Sequence, residues 1–275
     1  MTTLCRRLPF LPACDAIAAE GGGRLFWTSG ARRAAAIENG GEKEEQPPLP
    51  PTLCDLREDT FWRMRHAAAA GPPSLNEGKT PREREGALWD VYRRLEEEGW
   101  SPDASGYSTS FRLPLSSSTS TAKPKNPNGG DTNIKKTEQD LDLVLASLPP
   151  CLSSSRNLGC ADIYPVTSGK EAVGRYVAAT LGVGLEECAF LCDDDNDLPL
   201  AAAVGRAFVV GVTHPSVERA IAKEARKGHY WTITELEGTL AADAAVEAAA
   251  EHLRELSKRK KETEEVVVAA APAFA

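Results

Sequence analysis

The sequence predicts an α/β protein in which a parallel sheet is flanked by helices. Strand-like and helical segments alternate along the last third of the chain, which is the order that builds parallel sheets with helical crossovers. One of these segments, 188–192, is uniformly apolar, as expected for a strand that is buried on both faces. The apolar residues make up 41% of 275 residues, which is enough for a sizeable core.

The first two thirds of the chain contain elements separated by turn-forming residues. The composition of 60–70 favours a helix, which Gly71 ends. Apolar residues recur at helical spacing in 85–99 and again in 138–148, so both segments are predicted to be amphipathic helices. Partial alternation of apolar and polar residues in 107–115 predicts a strand.

The last third supplies the alternation on which the predicted sheet depends. Ser168 is placed to cap a helix that Gly182 ends, and Pro199 suits the first turn of another helix. The predicted strands are 161–165, 188–192 and 206–212, and the predicted helices are 170–181, 198–204, 215–226 and 241–256.

Three segments are predicted to be loops or linkers. Residues 40–51 combine charge with four prolines, and residues 70–85 are rich in glycine, proline and charge. Residues 116–131 are polar and of low complexity, without the apolar side chains that would offset the entropy of ordering. The last of these is expected to be a disordered insertion that extends over about 114–136.

The composition excludes several classes of protein. Asp and Glu number 40 against 32 Lys and Arg, and a net charge of −8 argues against nucleic acid as a partner. No apolar run approaches the ~20 residues that span a bilayer. Seven irregularly spaced cysteines, together with no convincing signal peptide in residues 1–10, predict an intracellular protein, cytoplasmic or organellar. The histidines form no zinc pattern, and His66 is expected at the surface or in packing.

The sharpest chemical feature is an acidic run, Asp193-Asp194-Asp195-Asn196-Asp197, which directly follows the predicted strand 188–192. Ligands of open α/β sheets bind beyond the carboxyl ends of the strands. Carboxylates crowded at such a point repel one another unless a cation lies among them, and hard oxygen ligands suit Mg²⁺. The alternative is an acidic turn in which Asp197 alone caps the helix that follows.

A second feature is Lys170, which follows Thr167-Ser168-Gly169 at the start of a predicted helix. A lysine in this position can meet an anion together with the N–H groups of the helix N-terminus. The alternative is an ordinary solvated lysine. The segment is not a P-loop, because Glu171 replaces the required Ser or Thr.

Together the two features resemble the haloacid dehalogenase-like (HAD) phosphatase superfamily. A lysine near a helix start is its third motif, and an acidic G-D-x-x-N-D after a strand is its fourth, with Cys192 here in the glycine position. The Cof-type and sucrose-phosphatase-like branch is the most similar, because 16–27 resembles its E-N-G-G strand-turn-strand.

The resemblance implies three regions and a partly preserved core. Residues 1–41 would be the N-terminal remnant of a Rossmann-like core, 42–150 an inserted α+β cap, and 151–275 the C-terminal part of the core. The first strands of the core, which would lie at the centre of its sheet, would be missing.

The resemblance also implies a chemistry and roles for individual residues. The cofactor would be Mg²⁺, and the substrate would be a phosphorylated small molecule, possibly a sugar phosphate. Lys170 would be the catalytic lysine that steadies the phosphate, with Ser168 and Gly169 also binding it. Asp193 would be a metal ligand, and Asn196 and Asp197 would hold the waters of the metal or orient the lysine.

The resemblance does not include the motif that carries the nucleophile of the superfamily. The superfamily attacks phosphate with an aspartate of D-x-D-x-T/V at the end of the first core strand. No D-x-D-x-T is present, and both Asp15-Ala16-Ile17 and Asp55-Leu56-Arg57 lack the second acid. The chain is therefore expected to be N-terminally truncated and inactive as a phosphatase on its own. Alternatives are a non-catalytic protein that binds Mg²⁺ or a phosphorylated ligand, and a module whose missing strands a partner chain supplies.

Overall fold

The computed structural model describes residues 14–28, 55–115, 136–157, 160–212, 215–233, 236 and 238–270. These residues form a mixed α/β structure of three three-stranded sheets with helices. The chain divides into two compact units, Met1–Val173 (unit 1) and Gly174–Ala275 (unit 2). The predicted loop 40–51 and insertion 116–131 lie outside the described residues.

Unit 1 begins with an antiparallel sheet, which confirms the strand-turn-strand predicted at 16–27. Strands β1 (Ala16–Ala19) and β2 (Arg24–Trp27) pair with Ala16 opposite Trp27. The 3-10 turn Glu20–Gly22 joins them, and β3 (Arg57–Glu58) pairs with the other edge of β2. All three strands therefore lie in one small sheet.

The helix predicted at 60–70 is interrupted. It forms α1 (Thr60–Met64) and α2 (Ala67–Ala70), with Asp59 capping the first through the Trp62 N–H. The His66 N–H bonds the Arg63 carbonyl, so the chain tightens to a three-residue spacing there and restarts at Ala67. A short helix, α3 (Pro73–Asn76), lies in the segment predicted as a loop.

The amphipathic helix predicted at 85–99 is confirmed as α4 (Ala87–Glu97). Its apolar face is buried and includes Trp89 and Leu95, both fully inaccessible to solvent. Gly99 adopts φ +81°, which any residue with a Cβ would find strained, and so ends the helix.

The second sheet of unit 1 corrects one prediction. Its strands β4 (Phe111–Pro114), β5 (Leu152–Asn157) and β6 (Cys160–Pro165) are antiparallel, in the order β4-β6-β5, and helix α5 (Glu138–Ala146) lies between β4 and β5 in the chain. The strand predicted at 161–165 exists, but its placement in the parallel sheet is wrong. Strand β6 pairs with β4, which lies in the segment predicted as the cap.

The core of unit 1 lies between α4, α5 and this sheet. The bulky side chains Trp89, Phe111 and Ile163 are fully buried in it, and the Tyr92 and Phe111 rings meet edge to face at 5.4 Å. Burial of this apolar surface is the main force that stabilises the unit.

Helix α6 (Lys170–Thr180) crosses from unit 1 into unit 2, whose sheet is parallel as predicted. Strands β7 (Ala189–Cys192), β8 (Arg206–Val209) and β9 (Tyr230–Thr232) lie in that order, with Cys192 opposite Val209. Between them run α7 (Leu198–Ala203) and α8 (Pro215–Lys223), and α9 (Gly238–Ala270) follows.

The prediction that 188–192 is buried on both faces is wrong. Only Cys192 of β7 is buried, and Leu191 is 37% exposed. Within the described residues β7 pairs with β8 alone and is an edge of the sheet, whereas β8 lies in the middle and buries Ala207, Phe208 and Val209. The apolar run reflects the composition of a parallel strand, not its position in this sheet.

Helix α9 is longer than predicted and contributes to the core of unit 2. It runs beyond the predicted end at 256 and places Ala241, Ala245 and Ala249 in the core of unit 2. Its outer face carries many charges, and no helix within the described ranges is long and apolar enough to cross a membrane.

Candidate functional site

The predicted lysine stands where the sequence placed it, at the first residue of α6. Strand β6 ends at Pro165, whose carbonyl accepts bonds from both the N–H and the hydroxyl of Ser168, at 2.8 Å each. Gly169 follows with φ +106°, and its carbonyl accepts the helical bond from the Val173 N–H. The Thr167–Lys170 segment, hereafter the lysine turn, is thus a tight strand-to-helix connection with Ser168 buried and Lys170 half-buried.

The lysine turn packs against the 3-10 turn that joins β1 and β2. A Cβ on Gly22 would lie 2.5 Å from the Gly169 carbonyl oxygen, so only glycine allows this approach. The Trp62 indole donates a 2.9 Å bond to the Gly22 carbonyl and holds the other side of the same turn. The glycines that resemble the family's E-N-G-G turn therefore have a structural role beneath the lysine turn.

Glu20 fixes that turn to the rest of unit 1. Its carboxylate accepts bonds from the backbone N–H groups of Ser108 and Thr109, at 2.8 and 2.7 Å, and from both hydroxyls. Glu20 adopts φ +55°, a conformation that costs a non-glycine residue energy and persists only where neighbours enforce it. Sequence reasoning assigned no role to this residue.

His66 holds the lysine turn from the side of α1 and α2. Its Nδ1 lies 2.8 Å from the Thr167 hydroxyl, and that hydroxyl is 3.3 Å from the Arg65 carbonyl oxygen. The side chain is 1% exposed and meets the Trp62 ring edge to face at 5.1 Å. The expectation of a packing histidine is confirmed, and that of a surface one is not.

Burial lowers the pKa of His66 from 6.5 to about 4, and the charges of Arg63 and Arg65 add to this effect. The imidazole is therefore neutral in the folded protein at neutral pH. In the unfolded chain the same group takes up a proton near pH 6.5.

This difference predicts a loss of stability in mild acid. As the pH falls from about 6.5 to about 4, His66 is protonated in the unfolded state but stays neutral in the folded state. The free energy of unfolding therefore decreases by about 2–3 kcal/mol over this range. Denaturant unfolding at a series of pH values measures it. His66→Asn, which cannot titrate, should show a correspondingly shallower decrease, and an unchanged slope in that variant would contradict the assignment.

The acidic run begins at the carboxyl end of β7, as predicted. Asp193 is exposed, and Asp197 is 3% exposed. The Asp193 N–H donates to Asp197 Oδ2 at 3.3 Å, so the structure brings the two ends of the run together. The last three residues of the run form a 3-10 turn, Asp195–Asp197, after which α7 starts at Leu198.

The sequence predicted, as an alternative to a metal site, that Asp197 caps the helix that follows. In the structure another aspartate of the run makes the cap bond. Asp197 occupies the N-cap position of α7 but makes no cap bond there. Asp194 caps the 3-10 turn instead, with Oδ1 accepting from the Asp195 N–H at 2.7 Å. Capping thus accounts for Asp194.

The chemistry of these donors decides what kind of metal site the run can provide. Within the described part of the chain, no group of three or more His, Cys, Asp or Glu side chains is arranged so that it could hold a metal ion. Mg²⁺ does not require three protein ligands, because it keeps several waters and is commonly bound through one or two carboxylates together with phosphate oxygens. The run fits an ion of that kind, with Asp193 as the exposed carboxylate.

The predicted residues fall in different units. Ser168, Gly169 and Lys170 belong to unit 1, and Asp193, Asn196 and Asp197 belong to unit 2. The structure brings the members of each set together within its own unit.

The sequence contains one D-x-D-x-V, Asp140-Leu141-Asp142-Leu143-Val144, which lies in helix α5 and not at the end of a strand. Asp140 forms a capping box with Thr137, and Asp142 pairs with Arg156. Both carboxylates thus serve the structure of unit 1. The helical setting excludes this copy as the nucleophile motif that the resemblance requires.

No family model matches the sequence, and no curated protein matches it. Among solved structures, the chain is similar to a sucrose-phosphatase from Synechocystis, crystallised with sucrose and phosphate. The two are 13% identical, with 82% of this chain and 81% of the other covered and a TM-score of 0.47.

Two further solved structures are similar to this chain. One is a sugar phosphatase of HAD subclass IIB, 20% identical, with 42% of this chain and 40% of the other covered and a TM-score of 0.33. The other is a haloacid dehalogenase-like hydrolase from Bacillus subtilis, 13% identical, with 85% of this chain and 68% of the other covered and a TM-score of 0.39.

Proposed function

We propose that this chain comes from the lineage of HAD-like, Mg²⁺-dependent phosphatases and binds Mg²⁺ and the phosphate of a phosphorylated small molecule. A sugar phosphate is the proposed ligand class. Asp193 binds the metal in unit 2, and the lysine turn with Lys170 binds phosphate in unit 1. The observation that carries the proposal is the acidic run at the carboxyl end of a parallel strand, the edge at which open α/β sheets bind ligands.

The residues of the acidic run have different proposed roles in binding the metal. The exposed carboxylate of Asp193 supplies a hard oxygen ligand, and Asp197 fixes the turn by accepting from the Asp193 N–H. Asn196 is half-buried beside them and orients water of the metal shell. The bound Mg²⁺ would supply positive charge at the carboxyl end of β7.

The lysine turn supplies the complementary charge for the phosphate. The positive charge of Lys170 and the helix N-terminus act in the same direction on an anion. Glu171 in the first turn of α6 opposes them in part. Ser168 and Gly169 shape the connection through their bonds to Pro165 and Val173, which sets where the first N–H groups of the helix lie.

We propose further that the 275-residue chain on its own binds these ligands but does not catalyse the hydrolysis of a phosphate ester. The aspartyl-phosphate route needs a D-x-D-x-T/V carboxylate at a strand end, and the copy at 140–144 is committed to helix capping and an ion pair. Release of phosphate from glucose 6-phosphate by the purified chain, dependent on Mg²⁺ and lost in Asp193→Ala, would contradict this part.

A matched pair of charge-neutralising variants tests the metal site. Asp193→Asn is expected to weaken Mg²⁺ binding at least tenfold in a calorimetric titration, because the ion loses its protein carboxylate. Asp195→Asn removes the same charge two residues away and is expected to change the affinity by less than about threefold. Equal weakening in both variants would mean a diffuse acidic surface, and no Mg²⁺ binding by the wild-type chain would end the proposal.

A further inference from the structure

We propose that His66 is a positioning residue for the lysine turn, and that it acts as the neutral Nδ1–H tautomer by donating a hydrogen bond to the Thr167 hydroxyl. The inference rests on the proposed function in one respect, namely that Lys170 binds phosphate. His66 itself touches no ligand in this account. It acts through Thr167, three residues before the lysine.

The geometry around Thr167 assigns the donor and the acceptor. The Thr167 hydroxyl has one hydrogen, and the Arg65 carbonyl at 3.3 Å can only accept it. With that hydrogen used, the hydroxyl oxygen accepts from His66 Nδ1 at 2.8 Å, which requires the proton on Nδ1. The ring and the carbonyl of its neighbour thus hold the threonine from two directions.

The other ring nitrogen points to the same tautomer. Nε2 of His66 is buried and has no hydrogen-bond partner in the described structure. A proton on Nε2 would leave a buried N–H without an acceptor, and a proton on both nitrogens would add a buried charge beside Arg63 and Arg65. The Nδ1–H form leaves only an unused lone pair, which is the least costly of the three states.

The connection from Thr167 to the lysine is short and constrained. Thr167 precedes Ser168, which is bonded twice to Pro165, and Gly169, which abuts Gly22. The side chain of Thr167 is bonded to His66, which lies between α1 and α2 and 101 residues earlier in the chain. We expect that loss of this bond lets the start of α6 shift relative to those helices. A displacement of about 1 Å is enough to weaken the binding of an oriented group.

Two conservative substitutions separate positioning from simple packing. Asn places its amide N–H near the position of Nδ1, whereas Gln places its amide near the position of Nε2. His66→Asn is expected to keep the affinity for inorganic phosphate within about threefold of wild type, and His66→Gln to lower it about tenfold. Both remove the ring, so a role in packing alone predicts the same loss in each.

Two substitutions of Thr167, the other partner in this hydrogen bond, give a second test. Thr167→Ser keeps the hydroxyl and should bind phosphate like wild type, whereas Thr167→Val keeps the shape and should lose about tenfold. Combining His66→Gln with Thr167→Val should cost no more than Thr167→Val alone, because the valine already removes the bond to His66 as well as the one to the Arg65 carbonyl. Additive losses would overturn the inference.

Nitrogen NMR of the imidazole in the full chain gives a readout that needs no ligand. The expected spectrum shows a neutral ring protonated at Nδ1 at pH 7, and Thr167→Val should shift the Nδ1 signal. A ring protonated at Nε2 would overturn the inference. If wild type shows the Nδ1–H form but binds no phosphate, the proposed function fails and the His66–Thr167 bond stands, so the two failures are distinguishable.

Discussion

Replacing Glu20 by alanine is expected to lower the free energy of unfolding of the chain by about 3–5 kcal/mol. The carboxylate is 5% exposed and satisfies two backbone N–H groups and two hydroxyls of Ser108 and Thr109. Thr109 is fully buried, so its donors would be left without acceptors. Alanine keeps a Cβ at φ +55°, so the backbone strain at this position is the same in both proteins.

Glu83 offers a matched control for this measurement. Its carboxylate also accepts from a backbone N–H and a hydroxyl, both of Thr80, but the group is exposed. Glu83→Ala should cost much less than Glu20→Ala, because water replaces the lost acceptor. Urea denaturation of both variants compares them, and a loss at Glu20 no larger than that at Glu83 would show that the buried bonds do not hold the turn.

The second large effect is expected on phosphate binding. Lys170→Met should weaken the binding of inorganic phosphate at least tenfold, because a bond to a charged group contributes about 1.5–3 kcal/mol. Lys170→Arg keeps the charge at the start of α6 and should retain most of the affinity. Calorimetry with inorganic phosphate measures both variants.

Lys258 provides the control for net charge alone. Its side chain is 80% exposed on α9, and Lys258→Met removes the same charge from the chain. Affinity for phosphate should then change by less than about twofold at physiological salt. Equal weakening in Lys170→Met and Lys258→Met would reduce the lysine turn to an ordinary solvated lysine.

The elements that the sequence predicted well are those whose signal is local. Helix α4 follows from a strong apolar period, and Gly99 marks its end. Strand β5 was missed because its residues, Leu-Ser-Ser-Ser-Arg-Asn, carry little strand preference, and pairing with β6 along all six positions makes it a strand. The partners of β6 were misassigned because periodicity predicts a strand but not its neighbours in the sheet.

The residues of the candidate site also differ in whether local sequence could predict them. Lys170 and the acidic run could be placed because each directly adjoins a predicted element, a helix start in one case and a strand end in the other. The roles of Glu20 and His66 could not be predicted, because their hydrogen-bond partners lie 88 and 101 residues away along the chain. Contacts of that separation exist only once the chain is folded.

The central claim is that Mg²⁺ and phosphate bind at two particular segments of this chain. Amide NMR of the full chain, titrated first with Mg²⁺ and then with inorganic phosphate, tests it most directly. We predict that Mg²⁺ shifts the amide signals of residues 193–197, and that phosphate shifts those of residues 168–171. Small shifts spread over acidic residues throughout the chain with Mg²⁺, and no response of the lysine turn to phosphate, would contradict it.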